Sequence, residues 1–225
     1  MTTPSFTLHD SAKDPTSKIW FAEPPGFTAL PLDALLPAPE SPAANVLRTA
    51  IAPFLDAAPD DMIREQFIAQ FAKGQQLLGA LREVGTVHFA VGLHRDDTDD
   101  ADRGSSQPLL SFFTLSWRDT AVASRAVTAA RAVTSAQGHA HIEFLELPCG
   151  PATLSETVLT PSADSGFSQA PLVQIHAHVP HPDCKRLVVL TLSTTAAVHR
   201  ERYRTILQQI AETVSFEELP TWAEG

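Results

Sequence analysis

Between Pro171 and Phe216 the hydrophobic pattern spells a strand, a tight turn, a second strand and an amphipathic helix. Pro171 to Val179 and Arg186 to Ser193 are rich in β-branched and apolar residues, and the short segment between them carries Pro182 and Asp183, so an antiparallel hairpin is predicted. Apolar residues at helical spacing then predict a helix over Ala196 to Val214. Along the second strand Val188, Leu190 and Leu192 point to one side, and Leu187 and Val189 to the other. A strand that is apolar on both sides must be covered on both, so this one is predicted to be central in its sheet. Leu190 and Ile206 are expected in the core beneath it.

Upstream, Ile19 to Phe21 is a short strand candidate, and Glu23-Pro-Pro-Gly26 turns the chain into Phe27 to Leu32. Pro31, Pro37, Pro39 and Pro42 predict an extended or looped path from Leu32 to Ser41. A helix is expected over Ala43 to Ala57, kinked or split by Pro53. A second starts at Pro59-Asp-Asp61, where acids lie beside the positive end of the helix dipole. Its stripe of Ile63, Phe67, Phe71, Leu78 and Leu81, widened by Ile68, Leu77 and Val84, is expected to pack on a sheet, and Gly85 ends it. In Thr86 to His94, Val87, Phe89, Val91 and Leu93 alternate with His88, Ala90, Gly92 and His94, which predicts a half-buried strand. Pro108 to Arg118 is its hairpin partner across a long loop. Asp119 or Thr120 is expected to cap a small-residue helix reaching about Gln137, followed by strands over His139 to Leu147 and Ala152 to Thr160.

Six or seven strands in hairpin order, with helices at separated places, indicate an α+β protein: a largely antiparallel sheet flanked by helices as an α/β/α sandwich. A length of 225 residues suffices for such a core, and no repeat or break in composition divides residues 19–216, which are expected to form one domain behind a flexible tail, residues 1–18. The net charge of −10 and the scattered Lys and Arg argue against nucleic acid. No apolar run approaches the roughly 20 residues that span a bilayer. Met1 to Asp10 lacks a basic segment followed by an apolar one, and Cys149 and Cys184 are too few for a disulfide framework. A cytoplasmic protein with buried free thiols is expected.

Each catalytic pattern fails on its chemistry. The acidic loop offers Asp97 and Asp99 but Ala101 where a calcium loop needs an oxygen ligand, and no Glu closes it. Gly166-Phe-Ser-Gln-Ala170 mimics a nucleophile elbow, yet a loop precedes Ser168 and a strand follows it. Gly74 to Ala80 has phosphate-loop glycine spacing with alanine in place of lysine, inside a helix. Histidines remain. His176 and His178 share one face of their strand, His139 and His141 form a second His-x-His pair, and His88, His181 and Cys184 complete the candidates for zinc or for a small-ligand site. Two ligands without a third do not make a site, so no catalytic residue, metal or cofactor is assigned. The alternative function, a small-ligand or metal-binding protein or enzyme, needs His176 and His178 to converge with His88, His139 or His141 in a concave pocket.

Trp20 to Leu32, Leu187 to Thr195 and the helix closing on Ile210-Ala-Glu-Thr-Val-Ser-Phe216 together resemble the PsbP-like α/β/α sandwich, the fold shared with the Ran-binding Mog protein and several bacterial lipoproteins. Leu147-Pro-Cys-Gly-Pro-Ala152 resembles a turn of actinobacterial proteins of this type. The resemblance spans most of residues 19–216 and implies a non-enzymatic binding or accessory protein, by analogy one that serves a bacterial secretion or immunity system. It transfers no functional residue. Proteins are therefore the expected partners, self-association included, and nucleic acid and membranes are not.

Overall fold

A computed structural model describes residues 19–23, 26–56, 60–94, 109–135, 137–160 and 171–217. The tail, the acidic loop and the segment around Ser168, all discussed above, lie outside these residues. In chain order the elements are β1 (Phe27–Ala29), α1 (Leu32–Leu35), α2 (Pro42–Asp56), α3 (Asp61–Glu83), β2 (Thr86–His94), β3 (Leu109–Asp119), α4 (Arg125–Thr134), β4 (Ala140–Leu147), β5 (Gly150–Leu159), β6 (Leu172–Pro180), β7 (Arg186–Thr194) and α5 (Arg200–Glu212). The strands form one sheet in the order β1-β2-β3-β7-β6-β5-β4, antiparallel at every pairing. This is the expected α+β sandwich.

The hairpin of β6 and β7 forms as predicted, and β7 occupies the middle of the sheet. Register explains the core. Leu192, Leu190 and Val188 lie opposite Phe113, Leu115 and Trp117 of β3 on one side, and opposite Ile175, Ala177 and Val179 of β6 on the other. Helix α5 lays Tyr203, Leu207 and Ile210 over this face, and all three are buried in the same cluster. On the opposite face α4 buries Thr128, Ala129 and Val133, and the Thr153 hydroxyl donates to the Ala129 carbonyl (3.2 Å). Helices therefore cover both faces. Arg204 ties α5 to the sheet: its guanidinium bonds buried Glu156 (2.9 Å), Glu143 (3.0 Å) and the His141 carbonyl (3.0 Å).

Several expectations change. Ile19 to Phe21 is not a strand; Trp20 forms an isolated bridge to Ser215, while Ile19 and Phe21 bury their side chains in the core. Residues 32–35 make a short helix, although the prolines predicted an extended path. Helix α2 runs through Pro53 to Asp56. Helix α4 starts at Arg125, with Ser124 at its cap, because β3 extends to Asp119 and the Thr120 amide then bonds the Lys185 carbonyl (2.8 Å).

Helix α3 is capped as the acids predicted, the Asp60 carboxylate accepting from the Ile63 amide (2.8 Å), and Gly85 follows its end at φ +84°. Gly85 is required there, since the Trp117 carbonyl occupies the space a Cβ would take. The apolar stripe, by contrast, is covered only in part among the described residues, with Phe71 and Leu81 half-buried. Leu78 is buried, but Ile63 and Ile68 lie exposed, the latter at 50%.

In β2 the side expected to be polar also faces the core. A bulge between Thr86 and His88 shifts the register, so His88 lies opposite Leu115 and Ala90 opposite Phe113 on the core face. His88 and Ala90 are buried, and so is Phe89 of the predicted apolar side, whereas Val87 is exposed, so the middle of the strand is covered on both faces. The cysteines also differ from expectation: both are free but only half-buried.

Leu190→Ala is expected to lower stability by about 2–5 kcal/mol, as is Leu207→Ala, because both side chains are fully enclosed. Ile206, expected in the core, packs against it only partly, so Ile206→Ala should cost clearly less. Urea midpoints measure the order, and an equal loss at 206 and 207 would contradict this orientation of α5.

Candidate functional site

Three of the candidate histidines converge. β6 places His176 and His178 on the face opposite the α5 core, where their neighbours across β5 are Ser155 and Thr153, and across β7 Thr191 and Val189. The third is His139, which enters β4. Ring centroids lie 5.5 Å (His139 to His176), 5.6 Å (His139 to His178) and 5.9 Å (His176 to His178) apart.

Hydroxyls from the flanking strands hold this cluster. His176 is bonded at both nitrogens, Nε2 to the Thr157 hydroxyl (2.9 Å) and Nδ1 to the Thr191 hydroxyl (3.0 Å). A neutral imidazole has one N–H and one lone pair, so one threonine accepts and the other donates. His139 Nδ1 meets the Ser155 hydroxyl at 2.9 Å, and the Gln174 amide donates to the Ser193 hydroxyl (3.1 Å). His178 is 3% exposed, and its Nδ1 has no hydrogen-bond partner among the described residues.

All three imidazoles are driven towards neutrality. Burial comes first for each and outweighs the rest; it pushes His176 down to about 4, with His139 and the Arg118 guanidinium adding to it. His178 falls to about 3 for the same reasons, with His176 and His139 beside it. His139 is lowered by burial and then by Arg118. Bases this weak are poorly matched to proton transfer near neutral pH.

Zinc fits the cluster badly. Ligation through His176 would displace a threonine hydroxyl from one of its nitrogens. Among the described residues no set of three or more His, Cys, Asp or Glu side chains is disposed to hold a metal ion.

The other candidates sit elsewhere. His141 follows His139 by two residues, but a bulge between Ala140 and Glu143, with His141 at φ +48°, breaks the alternation and leaves His141 exposed. His88 lies on the core face, 3.1 Å from the Glu23 carboxylate and edge-on to Phe21 (5.1 Å). His181 stacks edge-on against Phe216 (4.8 Å) and Trp117 (5.7 Å). Cys184 belongs to the turn after it, at φ +59°, and Cys149 packs beside Arg125, with its thiol pushed up by burial. Arg125 fastens the start of α4 to the sheet through the Pro180 carbonyl (3.0 Å) and the Cys149 carbonyl.

Residues that sequence patterns missed are the hydroxyls. Ser155 and Thr157 alternate in β5, and Thr191 and Ser193 alternate in β7. Their period of two matches that of His176 and His178, which is the signal that could have joined them.

A second surface stands out at the end of the sheet. β4 is an edge strand, and it exposes Phe144 (66%) and Ile142 (42%).

The cluster predicts a pH dependence with a definite sign. The unfolded chain binds protons at these histidines below about pH 6.5, whereas the folded chain binds them only near pH 4 and 3 at His176 and His178. Their neutral packing contributes fully above pH 6.5 and is lost progressively as pH falls towards 3. In urea melts between pH 7.5 and 4, His178→Leu should lose less stability on acidification than the parent chain. Parallel curves would contradict a neutral, buried His178.

No helix among the described residues is long and apolar enough to cross a membrane. Family models, curated proteins and solved structures were compared with the chain, and none of them matches it.

Proposed function

We propose that this chain is a non-enzymatic binding protein that acts by contact with another protein. The observation that carries the reading is the β4 edge, where Phe144 and Ile142 stand in solvent on a strand whose outer side pairs with no strand among the described residues. Large apolar groups grouped at an open sheet edge are a recognition feature, whereas single apolar residues scattered over a surface are ordinary. The histidine cluster is consistent with this role, since its hydrogen bonds tie strands together and its imidazoles are weak bases. The PsbP-like resemblance points the same way.

A second reading, a small-ligand or metal site on the histidine-bearing face, draws on the convergence of His139, His176 and His178. Stoichiometric metal in the purified protein would move the balance to that face.

A photo-crosslinking residue at position 144, in the native host, should give a discrete adduct with one partner. The same residue at Val198, which is 89% exposed near the start of α5, should not. Phe144→Asp should abolish co-purification of that partner while leaving the melting temperature unchanged, because the side chain contributes little to the core. Identical adduct patterns at 144 and 198 would overturn the proposal.

A further inference from the structure

We infer that β4 accepts an extended segment of a partner protein as an eighth strand, and that this segment carries an apolar residue and, two positions away, a Lys or Arg. The inference rests on the protein-binding reading above and specifies its partner.

The backbone supports it first. The two-residue turn Pro148-Cys149 closes β4 onto β5 with Leu147 opposite Gly150. Such a closing pair is hydrogen-bonded, and bonded pairs alternate along an antiparallel ladder. Leu147, Leu145 and Glu143 therefore turn their backbone groups towards β5, and Phe144 and Glu146 turn theirs outwards. Pro151, which has no N–H, accordingly lies opposite Glu146 at an unbonded position. Nothing among the described residues pairs with the outward groups.

The two ends of the sheet differ. At the other end β1 has only three residues, a length that offers little to an incoming strand. β4 has eight, with neither Lys nor Pro among them. Its bulge stops at Glu143, so Glu143 to Leu147 is the regular stretch available.

Side chains define the occupant. An apolar groove lined by Ala126, Ala129, Phe144, Pro151 and Ala152 lies over β5, inboard of β4, so Phe144 and Glu146 stand between it and the open edge. Glu143 is already bound to Arg204, while Glu146 is exposed and has no ion pair among the described residues. Phe144 and Glu146 are two residues apart and share a face, so an added strand meets an apolar site and an anionic one at the same spacing. A second copy of the chain suits this poorly: its own β4 holds two glutamates and no Lys or Arg, and each copy carries a net charge of −10.

The test uses the full chain and two synthetic peptides of equal length. In one, the positions on the Phe144 and Glu146 face alternate Val and Lys with Thr between them; in the other Glu replaces Lys. The Lys peptide should bind more tightly, and Glu146→Lys should weaken it roughly tenfold and favour the Glu peptide, as expected when an exposed ion pair becomes a repulsion. Bound peptide should slow hydrogen exchange at the Phe144 and Glu146 amides and leave Leu145, already bonded to β5, unaffected. Failure of both peptides to bind would overturn the inference, as would binding indifferent to Glu146→Lys or without protection of those amides. A dimer in sedimentation that Phe144→Asp dissolves would also overturn it, because a second copy would then hold the edge. In each of these cases a discrete adduct at position 144 with another protein would still uphold the broader reading, and loss of that adduct too would remove both.

Discussion

Strand β7 must be covered on both faces, and the rest of the described fold is arranged around that requirement. Its Val188, Leu190 and Leu192 are paired in register with apolar residues of β3 and β6, so three strands present one continuous surface to α5. Slippage by a single residue would exchange these side chains for Val189, Thr191 and Ser193 and bring hydroxyls into the core. The tight turn before β7 and the helix after it are then placed by the same pairing: β6 has to return alongside, and α5 has to lie back across. Arg204 on α5 completes the link, compensating the buried Glu156 charge and reaching the carbonyl of the β4 bulge.

The opposite face of the same strands reinforces the register through directional bonds. Thr157, His176 and Thr191 form a hydroxyl–imidazole–hydroxyl chain across β5, β6 and β7, and Gln174 with Ser193 makes the next rung. Apolar packing tolerates small shifts, but this chain closes in one alignment only, and a partly closed buried network is strongly unfavourable. Enclosed and flanked by one another and by Arg118, the imidazoles are held neutral. His178 Nδ1 is the imperfect member of the set, a buried polar atom without a hydrogen-bond partner among the described residues.

Where neighbours in sequence are also neighbours in space, the chain was legible. The β6–β7 hairpin, the central position of β7 and the acidic cap of α3 follow from alternation and capping chemistry. What failed depended on local irregularities that carry no pattern. One bulge in β2 turned His88 to the core, and another in β4 separated His139 from His141. The stripe on α3 has the right period for sheet packing, yet periodicity says only that a side is apolar and not which surface covers it. Glu23, within a proline turn, gave no sign of its approach to His88. The candidate site was half visible: His176 and His178 by spacing, His139 as one of three possible companions that spacing could not choose among, and the hydroxyls not at all.

The binding reading gains from how firmly the exposed edge is held. β4 pairs with β5 on its inner side, and Arg204 clamps both Glu143 and the His141 carbonyl from α5. Over the inner neighbour β5 lies α4, anchored by Arg125 to the carbonyls of Pro180 in β6 and Cys149 in the β4–β5 turn, and it supplies the alanine wall of the groove. Phe144 therefore stands in solvent on a strand that is already ordered. A partner strand would meet a template whose conformational entropy has been given up on folding, and only the partner would have to become ordered. The same rigidity makes an unguarded edge hazardous for a lone protein, because any extended chain could add there. The exposed Glu146 carboxylate would limit that hazard, since it would repel the chain's own acidic β4 and favour strands that bring a cation to it.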